Sequence, residues 1–186
     1  MRITLDTVQV SLWALAYLTI IINYWKHHNL AIPMDALILN SAWEINALLS
    51  GITHNQVFVG HIIWLSLDMV ILFFSYKEKP RNQKLIFGLV HIVCIITLYI
   101  LFKHGFMLHS VFLIDLLMAI SYLQFVMKNK VSPNFLTFLI CIFEFAGDLV
   151  AFLFYKSFED FVLYAGLIVQ VLHVIRLIFF FRPKKA

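Results

Sequence analysis

Long apolar runs broken at intervals by short polar clusters are the dominant pattern of this chain. About 20 consecutive apolar residues cross a bilayer's hydrocarbon core as an α-helix. Seven such stretches can be traced, at residues 5–25, 34–51, 56–76, 85–102, 109–127, 134–156 and 161–181. They predict an all-α, polytopic membrane protein, a seven-transmembrane-helix bundle in a single domain over residues 1–186. Pro33, Pro80, Pro133 and Pro183 fall between the stretches or just after the last, where a missing N–H and a fixed φ do least harm. The first run, Val8 to Tyr24, ends in Ile20-Ile21-Ile22-Asn23-Tyr24-Trp25 without a small-x-small cleavage pattern. It reads as a retained helix and not as a signal peptide.

Composition agrees with a lipid-facing surface. Of the 186 residues 62% are apolar and 13% charged, against about 45–50% and roughly 25% in soluble domains. The formal charge of +4 points to no nucleic acid partner, because membrane proteins gather Lys and Arg in cytoplasmic loops. Lys26, Lys77, Lys79, Arg81, Lys84, Lys128, Lys130, Arg182, Lys184 and Lys185 fall on one side, and Arg2, Lys103 and Lys156 on the other. The N-terminus is therefore expected outside and the C-terminus in the cytoplasm. Arg176, within the seventh stretch, is expected to snorkel toward the cytoplasmic face. Cys94 and Cys141 lie in apolar runs, where a thiol behaves as a small hydrophobe, and no disulfide or zinc spacing is present. Nothing in the sequence sets an oligomeric state.

Five carboxylates interrupt the apolar stretches: Glu44, Asp68, Asp115, Glu144 and Asp148. Each costs about 2.5–3.5 kcal/mol near the bilayer centre, so the set costs on the order of 12–17 kcal/mol. That expense predicts a shared polar interior. At about 1.5 Å per residue, Glu44 and Glu144 lie roughly 15 Å deep, Asp68 about 12 Å, Asp115 and Asp148 nearer 20 Å, and His91 and His173 about 10–12 Å. Asn40 with Glu44, Trp64 with Asp68, and Glu144 with Asp148 are each four residues apart and share a helix face. A carboxyl kept from water favours its neutral, proton-bearing form, and beside a group that orients it, it is a general acid. The plainer alternative, for the acids as for His91 and His173, is a set of interhelical hydrogen bonds.

No His-Glu-x-x-His occurs and no glutamate has a His three residues later, which argues against an ordinary zinc or di-iron site. No metal or other cofactor is expected. Most of the 19 Phe, 7 Tyr and 4 Trp suit lipid contact or interfacial belts. Trp43 and Trp64 are exceptions, deep in stretches that also carry Glu44 and Asp68.

Asn40-Ser41-Ala42-Trp43-Glu44 in the second stretch and Trp64-Leu65-Ser66-Leu67-Asp68 in the third resemble the integral-membrane terpene cyclases of fungal meroterpenoid and indole-diterpene pathways and their bacterial relatives. Those proteins carry Asn-x-Ala-Trp-Glu in helix two and Trp-x-x-x-Asp in helix three. Glu144-Phe145-Ala146-Gly147-Asp148 is similar, more loosely, to their C-terminal acidic segment. The resemblance implies a lyase or isomerase of terpenoid biosynthesis, with a hydrophobic prenylated small molecule as substrate and the lipid bilayer as surroundings. A carboxylic acid protonates an epoxide or alkene, rings close through carbocations, and a base removes a proton. It implies Glu44 as principal acid, Asn40 and Asp68 as orienting groups or proton relay, and Asp148 with Glu144 as the second acidic cluster that completes protonation or deprotonation. Asn40, Trp43, Trp64, His91, Asp115 and His173 are the candidate substrate-binding residues around them. The acidic Mg²⁺-binding motifs that ionise prenyl diphosphates elsewhere are absent, and protonation needs only an acid and a hydrophobic mould.

Seven helices also permit a three-plus-one-plus-three pseudo-repeat, echoed by Trp43-Glu44-Ile45-Asn46-Ala47 and Phe143-Glu144-Phe145-Ala146. A small transporter of that plan is the alternative, since mid-membrane acids also mark substrate and proton paths. Such folds often break helices at Pro or Gly beside the substrate, and here proline stays out of every predicted helix interior. A retinal protein needs a lysine in the seventh helix, and none lies between Phe161 and Phe181. A structural subunit remains the third reading.

Overall fold

The computed structural model describes residues 2–50, 55–128, 134–155 and 160–180. Among them are seven helices and no strand: α1 (Arg2–His27), α2 (Met34–Leu49), α3 (Asn55–Lys77), α4 (Arg81–Lys103), α5 (Met107–Met127), α6 (Phe135–Tyr155) and α7 (Asp160–Phe180). Pro33 and Pro80 stand immediately before α2 and α4, a position that asks nothing of the missing N–H. Pro133, Pro183, Lys130, Lys156, Arg182, Lys184 and Lys185 lie outside the described residues.

Six helices are long and apolar enough to cross a membrane. The exception is α2, whose 16 residues extend about 24 Å, short of a hydrocarbon core of about 30 Å. It is held by protein on most sides, with half its residues buried, Glu44 and Asn46 among them, and it packs on α3, α4 and α5. α4 is the opposite case: it has the highest mean hydropathy of the six, 2.7, and the least burial, which fits a helix turned mainly toward lipid. The most extensive packing is α1 on α6, followed by α5 on α7. Two glycines allow α1 to approach closely. Gly60 accepts Val10, and Gly147 lies under the Trp13 indole, where a Cβ would stand 2.7 Å from Cδ1 and 2.8 Å from Nε1.

The α1–α2 connection is firmly tied. Asn23 donates to the Asn29 carbonyl at 2.5 Å, Asn29 Oδ1 accepts from the Ala31 N–H at 2.9 Å, and Asn134 donates to Asn23 at 3.1 Å. These bonds hold His28 and Ala31 at positive φ, 49° and 56°, a conformation uncommon without glycine. The loop borders a polar cavity of about 420 Å³ that reaches Asp35, Ser75, Lys79 and Ser121.

Arg176 does not snorkel. It is buried, bonds to Glu144 and lies over the Tyr122 ring with its guanidinium carbon 4.2 Å from the centroid. A carboxylate and an aromatic face inside the bundle satisfy the cation that water would otherwise have had to reach.

Candidate active site

Glu44, Asp68, Glu144 and Asp148 are all buried, and each has a polar partner on a neighbouring helix. From α2, Glu44 Oε2 meets His61 Nδ1 of α3 at 2.5 Å. One turn earlier, the Asn40 amide donates both to Asp68 Oδ2 of α3 and to the Tyr17 hydroxyl of α1, each at 2.6 Å. From α6, Asp148 Oδ2 meets His173 Nε2 of α7 at 2.7 Å, and one turn earlier Glu144 binds Arg176. Both helix pairs thus run antiparallel with two polar rungs, an acid–imidazole rung and a second one beside it.

Tyr17, buried in α1, accepts from Asn40, and α1 packs most extensively on α6. Asp115 of α5 is half-buried.

Aromatic rings wall the Glu44 side. His61 lies between Trp43, with ring centroids 5.2 Å apart, and Trp64, edge-on at 5.4 Å. Trp64 is pinned by its N–H to the Val10 carbonyl at 3.2 Å, and Trp43 also meets Phe102 of α4. Ring faces of this kind attract positive charge. Several polar atoms here have no hydrogen-bond partner among the described residues: Asp68 Oδ1, Glu144 Oε1, His173 Nδ1 and Trp43 Nε1. Leaving a buried polar atom unpaired costs about 1–3 kcal/mol, and such atoms are expected where a reacting molecule completes the set.

His91 stands apart. Its Nε2 meets Ser41 at 3.0 Å, and together with Asn46, which donates to the Ile95 carbonyl at 3.0 Å, it forms the polar seam between α2 and α4. Sequence reasoning missed His61, Tyr17 and the Glu144–Arg176 contact. One signal for His61 was available: it precedes Trp64 by three residues and Asp68 by seven, so all three share a helix face.

Buried acids with aromatic rings beside them are what these residues bring together. The model of the Pyr4-like transmembrane terpene cyclases matches residues 3–148, and the chain belongs to that family. The match runs from α1 to Asp148 and leaves α7, with His173 and Arg176, beyond it. No curated protein and no solved structure matches the chain. Membership makes this an integral membrane protein of terpene cyclase type, with a hydrophobic prenyl substrate and a lipid bilayer as its surroundings.

Proposed function

We propose that the protein cyclises a prenyl chain by proton-initiated chemistry, with Glu44 as the initiating acid. The observation that carries this reading is the Glu44–His61 contact of 2.5 Å, buried between Trp43 and Trp64. With Nδ1–H of His61 donating to Oε2, the proton of the carboxyl sits on the other oxygen and is given to an epoxide or alkene. The same N–H then stabilises the carboxylate left behind, a donor already aimed where charge develops. Trp43 and Trp64 offer ring faces to the cation, and Asn40 orients Asp68 as a relay behind Glu44.

Asp148 belongs to the step that finishes the reaction. Glu144 is occupied by Arg176 and acts as its counter-ion, holding α6 to α7. Asp115 lies on α5, which packs on α7, and His91 acts through the seat of α2. Substrate and product are isomers on this scheme, because the proton given at the start is matched by one removed at the end.

The packing also supports a three-plus-one-plus-three plan. Exchanging α1, α2 and α3 with α5, α6 and α7 turns the α1–α3 contact into α5–α7, α2–α3 into α6–α7, and α1–α6 into α2–α5, all of which occur. The excess of basic residues supports an outside N-terminus and a cytoplasmic C-terminus.

The test is Glu44→Gln in purified membranes supplied with a farnesyl-substituted phenol, as its terminal epoxide and as the free alkene. Wild type forms cyclised isomers. The variant elutes as a folded protein and loses about 10²–10⁴-fold in turnover, the usual worth of a general acid. Full product formation by Glu44→Gln overturns the assignment.

A further inference from the structure

We propose that His173 is the base that ends the cyclisation, its Nδ1 taking the proton lost from the last carbocation while Asp148 holds the opposite nitrogen. The inference rests on the cyclase reading above and adds to it the group that receives the proton.

Three observations place the base here. His173 is only 3% exposed, and Nδ1 has no hydrogen-bond partner among the described residues. Nε2, by contrast, is fixed at 2.7 Å from Asp148 Oδ2. With Nε2–H donating to the carboxylate, Nδ1 carries the lone pair, so the ring is held in the tautomer that accepts a proton at its free end.

The pairing also suits it. Arg176 is bonded to Glu144, which leaves Asp148 as the carboxylate beside His173, the counter-charge for an imidazolium there.

The step balances. The C–H bond beside the cationic carbon breaks, its electron pair becomes the new C=C bond, and the proton moves to Nδ1. Glu44 gave one proton at the start, so the product is an isomer of the substrate. The protein regains its resting state when His173 releases a proton and Glu44 takes one up.

Glutamine suits the test because its amide NH₂ stands where Nε2–H stood and still donates to Asp148, while nothing basic remains at the Nδ1 position. We expect His173→Gln to consume the farnesyl-phenol epoxide but to lose the single wild-type alkene as main product. Alkene isomers and water-captured alcohols should replace it, because the cation forms and is quenched elsewhere. Asp148→Asn, which keeps a hydrogen bond but removes the counter-charge, should shift products the same way. A merely structural role changes yield and leaves the product ratio alone. The inference is overturned if a monodisperse His173→Gln protein gives the wild-type alkene as sole product, or, where that variant does not fold, if Asp148→Asn does so. A wild-type protein that forms no cyclised product, or a Glu44→Gln variant with full turnover, overturns the cyclase reading itself, and this inference falls with it.

Discussion

Replacing Arg176 by Met asks what the Glu144 carboxylate is for. Both side chains are buried, Glu144 completely and Arg176 to 3% exposure, and they bond directly. Removing the cation strands a carboxylate in the bundle, which costs about 3–5 kcal/mol. The guanidinium stacked on Tyr122 adds about 0.5–2 kcal/mol. Together these are about 3.5–7 kcal/mol, and for a chain of this length each kcal/mol moves Tm by about 2–4 °C, so Arg176→Met should lower it by roughly 7–28 °C. Exchanging both partners for apolar groups of similar volume is commonly neutral or stabilising. Glu144→Met with Arg176→Met should therefore recover most of the loss. The measurement is thermal stability in detergent, followed by elution profile, for the wild type, both single variants and the pair, with cyclised product assayed in each. A counter-ion role predicts recovered stability and retained product in the double variant. A stable double variant that makes no product would instead place Glu144 in the chemistry. A single variant as stable as wild type would refute the energetic argument.

Other expectations follow from individual contacts. Gly147→Ala drives a methyl into the Trp13 indole and should cost about 1–3 kcal/mol as an overpacked interface, read as a fall in Tm. Trp64→Phe keeps an aromatic wall but removes the N–H that bonds the Val10 carbonyl, so stability should drop by about 0.5–1.5 kcal/mol, read by thermal melting in detergent. Asn46→Leu removes the bond to the Ile95 carbonyl, and thermal melting should report a loss of about 0.6–1.7 kcal/mol, the range for interhelical hydrogen bonds in membranes.

Hydropathy located the helices to within a few residues, because each must hide its own backbone from lipid whatever its neighbours do. For α2 the predicted stretch 34–51 and the helix Met34–Leu49 share their start and differ by two residues at the end. Glu44 and Asp68 were legible as costly residues on shared faces. Their partners were not, since Glu44–His61, Asp148–His173 and Glu144–Arg176 join residues 17, 25 and 32 positions apart, and only the register between helices aligns them. Arg176 was misread for the same reason: snorkelling is the default for an arginine considered without a buried acid in reach.

By where it starts, α2 sets the distance between the polar cavity and the Asn40–Asp68 rung. Its first residue lies beside the polar cavity that extends to Asp35 and Ser75, and Asn40 follows six residues on, about 9 Å along the axis. Ser75 is seven residues, about 10 Å, beyond Asp68 on α3. The cavity thus stands about 9–10 Å along the axes of α2 and α3 from the Asn40–Asp68 rung, which makes that rung, of all the polar contacts between α2 and α3, the one nearest to it.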